Sequence, residues 1–299
     1  MAAPSLCAAA LATVVGLQTA VAADPESDGA ASSSEAPQRV VSVGGALTEI
    51  VYELDAQDSL VGVDTTSLHP EAATALPQVG YQRNLSAEGV LSLDPDLMLV
   101  TDDAGPPEAL EQIEAAGIEI QRLPSGNTLE TVLERVDALA ARFDRTVEGE
   151  TLAARIEAEM DEARAIAATL APSPRAVFLL GTGTGSAMAA GGDTAADSML
   201  RYAGAENALS DFDGYKPVGA EGLIAAAPEV IVVVAHGESD DEDVAAAALA
   251  VPGAGDTPAG RSGHVVVADA LRLLGFGPRI GEAVRDLAAR LRDGVDAPR

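Results

Sequence analysis

Cysteine, tryptophan and aromatic residues in general are scarce in this chain of 299 residues. Its single cysteine, Cys7, lies in an apolar N-terminal segment that we expect to be removed, so the mature chain would contain no thiol. This absence excludes disulfides, cysteine nucleophiles and zinc sites with cysteine ligands. Aromatic residues make up only 3% of the chain, so the core must be aliphatic. A tyrosine in a loop is therefore more informative here than in an average protein.

Basic residues are also few. Lysine and arginine together number 18 against 47 aspartates and glutamates, which gives a formal net charge of -29, and Lys216 is the only lysine. Such a chain repels nucleic acid, because binding to a phosphate backbone depends on Lys and Arg side chains that neutralise it. The acidic excess instead predicts a solvated surface of the kind that a salt-rich environment selects.

The motifs of several enzyme classes are missing as well. The sequence contains no G-x-S-x-G, and its three histidines, His69, His236 and His264, show no metal-ligand spacing. The segment G-T-G-T-G-S at 181–186 follows a predicted strand, but it lacks the ending of a P-loop and the third-glycine spacing of a dinucleotide loop. An α/β enzyme acting on a phosphorylated substrate is therefore kept only as an alternative. We interpret His264 as structural, whereas a ligand role stays open for His69 and His236.

The first 23 residues are uncharged and apolar, and Ala20-Val21-Ala22 lies one residue before their end. Small residues at alternate positions are typical of a secretory cleavage site, so we interpret residues 1–23 as a signal peptide. A basic n-region is missing, and a membrane anchor is the alternative, although no stop-transfer flank follows. Residues 24–37 are rich in serine and acidic residues, which predicts a disordered acidic leader.

The remaining chain is predicted to form two lobes. Short apolar strands alternate with amphipathic helices, which favours an α/β fold with a parallel sheet. We expect an N-terminal α/β lobe at 38–144, a connecting helix at 145–171 and a C-terminal α/β lobe at 172–299. In the C-terminal lobe we expect loops at 207–218 and 237–243.

One long helix is predicted between the lobes because apolar residues recur at helical spacing without a turn signal apart from one glycine. About 25 residues in this helix would make a rigid rod of about 37 Å. The residues of its apolar stripe are Leu152, Ile156, Met160, Ala163, Ala167 and Leu170.

An internal repeat supports the two-lobe arrangement. The segment S-A-E-G-V-L-S-L-D-P-D-L-M-L-V at 86–100 matches G-A-E-G-L-I-A-A-A-P-E-V-I-V-V at 219–233. Glu88 matches Glu221 at an offset of 133 residues, and the prolines keep the same offset. This spacing predicts an equivalent helix and strand in each lobe.

Tyr81 and Arg83 are the residues most indicative of ligand chemistry. They stand two residues apart after Gly80, so in an extended loop their side chains would point the same way. A guanidinium and a ferric ion both favour the phenolate form of tyrosine. Tyrosinate is a known axial ligand of haem iron.

These motifs resemble the haem-specific members of the periplasmic substrate-binding proteins that serve ABC importers. The G-Y-Q-R-N-L-S-A-E-G run is fairly specific for haem, and the other segments mark the wider family. The matching segments are V-D-T-T-S-L-H-P-E-A-A at 63–73, L-P-Q-V-G-Y-Q-R-N-L-S-A-E-G-V-L-S-L at 76–93, A-M-A-A-G-G-D-T-A-A-D-S-M at 187–199, G-Y-K-P at 214–217, T-P-A-G at 257–260 and L-L-G-F-G-P-R at 273–279.

The resemblance implies two α/β lobes joined by one long helix, with a ligand cleft between the lobes and no enzymatic activity. Haem, as ferric protoporphyrin IX, would be the transported ligand, with Tyr81 as its axial metal ligand and Arg83 beside the phenolate or a propionate. Where relatives often carry T-R-G, this chain has Ala235-His236-Gly237, so His236 would stand in place of an arginine in the site.

The resemblance also implies partners. Glu88 and Glu221 would dock onto the permease dimer of an inner-membrane ABC transporter, and the carrier would act as a monomer in the periplasm to support iron uptake. Ordinary glutamates near helix N-termini are the alternative interpretation of this pair. A siderophore or cobalamin carrier on the same fold is the alternative to a haem carrier.

Overall fold

The N-terminal lobe alternates strands with helices, as the hydrophobic pattern predicts. In the computed structural model, residues 36–182, 187–235 and 239–295 are described. The predicted signal peptide, the 183–186 part of the Gly-rich loop and His236 lie outside those ranges. The elements of this lobe are β1 (Val40–Ser42), α1 (Gly45–Glu53), β2 (Leu60–Val63), β3 (Gly80–Tyr81), β4 (Asn84–Leu85), α2 (Ala87–Leu91), β5 (Leu97–Thr101), α3 (Pro107–Ala115), β6 (Glu119–Leu123) and α4 (Leu129–Arg142).

The sheet of this lobe is parallel, in the order β2-β1-β5-β6. Its two central strands, β1 and β5, are buried along their whole length, which is expected where helices cover both faces of a parallel sheet. The prediction of a parallel α/β unit is thus confirmed. Strands β3 and β4 form a separate small hairpin.

A single long helix, α5 (Thr146–Ala167), links the lobes. Its 22 residues make a rod of about 33 Å. It packs against α4 of the N-terminal lobe and also against α11 (Ile280–Val295), the final helix of the chain. The buried side chains Leu152, Ile156, Met160 and Ala163 lie in the same core cluster as residues of both sheets, so the apolar core continues across the connecting helix.

The C-terminal lobe has a mixed sheet in the order β10-β8-β7-β11-β12, with β9 paired beside β7. Strands β7, β11 and β12 are parallel, whereas β8 runs antiparallel to β7 and β10. The elements are β7 (Arg175–Leu180), β8 (Met188–Ala190), α6 (Ala195–Tyr202), β9 (Glu206–Asn207), β10 (Tyr215–Pro217), α7 (Ala220–Ala226), β11 (Val230–Ala235), α8 (Asp241–Leu249), α9 (Pro258–Ser262), β12 (Val265–Asp269), α10 (Ala270–Leu274) and α11.

Two loop predictions in this lobe are wrong in part. Within the expected loop 207–218, Tyr215–Pro217 pairs with β8 as a short edge strand. Within the expected acidic loop 237–243, Asp241 begins α8, and Asp240 caps it by accepting hydrogen bonds from the backbone N–H groups of Glu242 and Asp243. Acidic residues stabilise the first turn of a helix because of its dipole, and the alanines that follow favour helix.

Direct polar contacts join the two lobes beside α5. Glu49 of α1 accepts two hydrogen bonds from Arg279, at 2.8 Å from Nε and 2.6 Å from Nη2. The Tyr202 hydroxyl accepts a hydrogen bond from the backbone N–H of Leu129 at 3.1 Å. Because Glu49 is only 7% exposed, water and salt screen this ion pair weakly. Within the ranges that the structure describes, no helix has both the length and the apolar character to cross a bilayer.

Candidate functional site

A cavity of about 820 Å³ lies between the lobes and receives loops from both sheets. The carboxyl ends of β1, β5 and β6 lead into it from one side, and those of β7 and β12 from the other. Ligands of open α/β sheets bind in crevices outside the carboxyl ends of the strands. The volume is in the range of about 300–1,000 Å³ that small-molecule sites occupy, so the fold predicts a ligand site here.

Tyr81 and Arg83 meet at the mouth of this cavity. They do not lie in an extended loop, because Gln82 and Arg83 form the two-residue turn of the β3–β4 hairpin. Gly80 begins the hairpin with a φ of 104°, and a Cβ atom there would lie 3.1 Å from the Asn84 carbonyl oxygen. In this tighter geometry Nη1 of Arg83 donates to the Tyr81 hydroxyl at 3.0 Å.

The hairpin is held against the loop that follows β5. The N–H group of Gly105 donates to the carbonyl of Gln82 at 2.9 Å. The carbonyl of Gly105 in turn accepts a hydrogen bond from the N–H group of Leu85, also at 2.9 Å. The same loop carries Asp103, whose Oδ2 accepts a hydrogen bond from Nη2 of Arg83 at 2.5 Å. Backbone pairing therefore positions a carboxylate to orient the arginine that contacts the phenol.

Asp103 is itself fixed by two hydroxyl groups. Its Oδ1 accepts from Thr101 at 2.7 Å and from Ser125 at 3.1 Å. Burial alone would raise the pKa of Asp103, but the hydrogen bonds from Thr101, Arg83 and Ser125 outweigh burial and lower it. The hydrogen bond to Asp103 raises the pKa of Arg83. Both groups are thus held charged, and the phenol of Tyr81, which is 40% exposed, faces an oriented cation.

The opposite wall carries a second tyrosine, Tyr215, which stands beside Gly214 at the start of β10. Burial raises the pKa of Tyr215, although hydrogen bonds from Ala196 and Thr194 act in the opposite direction. Neither Tyr215 nor Asp103 is among the site residues predicted from the sequence. The G-Y pair, present at both 80–81 and 214–215, was the available signal for Tyr215.

The charge of the cavity wall is opposite to that of the whole chain. Among the described residues that line it, four are arginines and three are carboxylates, whereas acidic residues outnumber basic ones 47 to 18 overall. A cleft that gathers arginines in an acidic protein favours an anionic ligand. The lining arginines are Arg83, Arg135, Arg272 and Arg279, and the carboxylates are Glu49, Asp103 and Asp193.

The other predicted site residues lie elsewhere. His236 follows β11 in the chain and falls outside the described residues. Glu88 and Glu221 are exposed in the first turns of α2 and α7, and neither lines the cavity. Among the residues that the structure describes, no group of three His, Cys, Asp or Glu side chains is placed to hold a metal ion.

Known proteins with similar sequences and structures are binding proteins. The periplasmic heme-binding protein BhuT, solved in complex with two hemes, is 43% identical with a TM-score of 0.80, and the match covers 86% of this chain and 98% of BhuT. The vitamin B12-binding protein of Vibrio campbellii (strain ATCC BAA-1116) is 26% identical over 205 residues, which are 68% of this chain and 73% of that protein. The ABC transporter substrate-binding lipoprotein YvrC of Bacillus subtilis (strain 168) is 25% identical over 255 residues, which are 84% of this chain and 79% of YvrC.

Residues 40–271 match the family described as periplasmic binding protein. This range includes both sheets, the connecting helix and most of the residues that line the cavity. The predicted fold class, two α/β lobes joined by one long helix with the ligand cleft between them, is confirmed. The chain therefore belongs to the periplasmic binding protein family, whose members are substrate-binding transport proteins and not enzymes.

Proposed function

We propose that this protein captures ferric haem in the cleft and delivers it to an inner-membrane ABC importer. The observation that carries this proposal is the contact between the Tyr81 hydroxyl and Arg83 at the mouth of an arginine-lined cleft. Phenolate oxygen suits ferric iron, and the adjacent guanidinium stabilises the anionic form. The 43% identity to a heme-binding protein supports haem as the ligand.

In this proposal Tyr81 is the axial ligand and Arg83 is held in place by Asp103. Arg83 uses Nη2 for Asp103 and Nη1 for the phenol oxygen, so one planar group links the carboxylate to the ligand oxygen. Because Thr101 and Ser125 fix the carboxylate in turn, the phenol meets an arginine that is already oriented. We also propose that His236 contacts the haem from the C-terminal lobe. Substitution of His236 would test this role separately.

A cobalamin carrier is the second candidate because a vitamin B12-binding protein is among the relatives. The charge of the cleft separates the two ligands. Haem presents two propionate carboxylates, whereas cobalamin presents mainly neutral amides at its rim. The arginine excess of the cavity wall therefore favours haem.

The test is a titration of the purified apoprotein with hemin, followed in the Soret region, beside the same titration with cyanocobalamin. The wild-type protein is expected to saturate with hemin and to give a high-spin spectrum typical of tyrosinate ligation. Tyr81→Phe should lose that spectrum and bind hemin roughly 100-fold more weakly, since removal of a charged partner costs about 1.5–3 kcal/mol.

Two tyrosine variants complete this experiment. Tyr52→Phe changes a half-buried tyrosine outside the cavity wall and should bind hemin as the wild type does. Tyr215→Phe removes the other phenol of the cleft. Loss of the tyrosinate spectrum in Tyr215→Phe but not in Tyr81→Phe would move the axial ligand to the C-terminal lobe, and saturation with cyanocobalamin alone would replace haem by cobalamin.

Export and docking belong to the same proposal. Residues 1–23 are proposed as a signal peptide that directs the protein to the periplasm, and N-terminal sequencing of the exported protein should then begin at Ala23 or Asp24. Glu88 and Glu221 are proposed as the contacts to a permease dimer. Both are exposed, and neither forms a side-chain hydrogen bond or ion pair with a described residue.

A further inference from the structure

Arg135 differs from the other three arginines that line the cavity. Arg83 pairs with Asp103 at 2.5 Å, Arg272 with Asp286 at 2.9 Å and Arg279 with Glu49 at 2.6 Å. Arg135 forms no ion pair with any carboxylate in the ranges 36–182, 187–235 and 239–292. Among the four lining arginines, Arg135 is therefore the one that contacts no carboxylate of the described side chains.

The guanidinium of Arg135 is nevertheless held firmly. Its Nε donates to the carbonyl of Pro124 at 2.8 Å, and its Nη1 donates to the carbonyl of Phe276 at 3.1 Å. The first carbonyl follows β6 in the N-terminal lobe, and the second belongs to the loop between α10 and α11 in the C-terminal lobe. Its Nη2 donates to no atom of the described residues, and the side chain forms part of the cavity wall.

This environment is unfavourable for a cation alone. Arg135 is only 4% exposed, and a buried charge without a partner is expensive. Burial lowers the pKa of Arg135, and the charges of Asp103 and Asp102 counteract this effect without contacting it. An arginine stays protonated in proteins in spite of such a shift. Carbonyl groups satisfy two of its donors but do not neutralise it, so an anion that enters the cavity would supply the missing charge.

We propose that Arg135 is the carboxylate-binding residue of the cleft, with its free Nη2 edge directed to an acidic group of the bound ligand. The planar guanidinium suits a carboxylate better than any other cationic side chain does. For haem this group is a propionate, and in this respect the assignment rests on the proposed haem-carrier function.

The experiment compares hemin with hemin dimethyl ester, in which both propionates are uncharged, on Arg135→Gln and the wild type. Arg135→Gln should bind hemin about 10- to 100-fold more weakly than the wild type, the loss that a charge-assisted hydrogen bond represents. The same variant should bind the dimethyl ester within about twofold of the wild type. Arg142→Gln is the matched control, because Arg142 lies on the same helix, pairs with Glu119 at 2.7 Å and lies outside the cavity wall.

The ester separates a binding role from a structural one. If Arg135→Gln weakened hemin and its ester equally, Arg135 would only hold the two lobes together and the proposal would be wrong. Arg135→Lys keeps the charge and provides a second variant should the glutamine variant unfold, and it should show a smaller loss with the same preference for hemin. If the wild type bound neither hemin nor its ester, the proposed haem function would be wrong. If the wild type bound both and Arg135→Gln bound hemin as tightly as the wild type does, only the proposed role of Arg135 would be wrong.

Discussion

The two helix–strand repeats, α2–β5 and α7–β11, share several features of the backbone and surface but have different local supports. In each, a glutamate stands in the first helical turn, and a large apolar residue three positions later is exposed, 37% for Leu91 and 45% for Ile224. The residue before the proline has a positive φ in both, 47° at Asp94 and 46° at Ala227. The repeat therefore preserves a surface and a chain path, and does not merely share a hydrophobic pattern.

An arginine donates to backbone carbonyls in each unit, after the end of α2 in one and at the end of α7 in the other. Arg39 donates to the carbonyls of Leu93 and Asp94, and Arg175 donates to the carbonyl of Ala226 at 3.1 Å. Leu93 and Ala226 are separated by the same 133 residues as the two glutamates. Carbonyls near a helix C-terminus lack partners within the helix. In each unit an arginine side chain supplies a hydrogen-bond donor to them.

The two units differ in the length of the helix, in the supporting side chains and in what precedes each helix. Ser86 caps α2, whereas its counterpart Gly219 offers no side-chain cap. Before α2 the chain forms the hairpin that carries Tyr81, but before α7 it forms an edge strand of the main sheet. The exposed residues of the two units are thus similar, as expected if both contact a symmetric partner. The residues that each unit places near the cleft differ, as expected if they contact different parts of one ligand.

The largest effect is expected from reversing the charge of the shared surface. Glu88→Lys combined with Glu221→Lys should reduce haem uptake by proteoliposomes that hold the transporter by roughly tenfold or more, because like charges across an interface cost several kcal/mol. Hemin affinity should not change, since neither residue lines the cavity. If the two units dock equivalently, Glu88→Lys alone and Glu221→Lys alone should reduce uptake to the same extent as each other.

The control for this prediction carries the same change of charge on another surface. Glu150→Lys with Glu157→Lys alters two exposed residues of the connecting helix and should leave uptake intact. Uptake that was unaffected by the reversal of Glu88 and Glu221 would show that the repeat serves the fold and not a partner.

Much of this arrangement could be predicted from the sequence because it depends on local patterns. The 133-residue offset, the apolar stripe of the long helix and the nearness of Tyr81 to Arg83 all follow from spacing along the chain. The exact bounds of the lobes and the roles of the site residues stay predictions. Asp103 could not be assigned, because it reaches Arg83 only through the backbone pairing of the hairpin with the loop after β5.

The position of Arg135 on its helix is a sequence signal for a buried charge. It stands within the buried stripe formed by Val132, Val136 and Leu139 of α4. An arginine among apolar residues at helical spacing indicates a buried charge, but its partners come from Pro124 and Phe276. The second partner is 141 residues away in the sequence, and no local pattern predicts it.

The largest expected change in stability comes from the cap that one unit has and the other lacks. In Ser86→Ala, the N–H of Gly89 loses the hydroxyl that accepts its hydrogen bond at 3.1 Å. Loss of a serine cap lowers the free energy of unfolding by about 1 kcal/mol. Urea unfolding should show a lower midpoint with an unchanged slope. Ser92→Ala is the control, because Ser92 bonds only the carbonyl of Gly89, at the end of the same helix.

A smaller gain is expected at the left-handed position of the other unit. Ala227 is exposed and adopts a conformation that disfavours a Cβ atom. Ala227→Gly should therefore raise the free energy of unfolding by about 0.5 kcal/mol, after the greater flexibility of glycine in the unfolded chain is subtracted. Asp94→Gly should gain less, because aspartate tolerates this region better than alanine does. Equal gains at both positions would contradict this difference between the units.

The smallest effect should come from giving the second repeat the cap of the first. Gly219 has an extended backbone, with φ of -96° and ψ of 169°, and a Cβ atom there would meet no atom within 4 Å. Gly219→Ser can thus place its hydroxyl toward the first-turn N–H groups of α7 and should stabilise the protein by a few tenths of a kcal/mol. Gly219→Ala keeps the Cβ without the hydroxyl and should not gain. If the alanine variant were as stable as the serine variant, the gain would come from reduced flexibility of the unfolded chain and not from capping. The missing cap would then not be what distinguishes the two units.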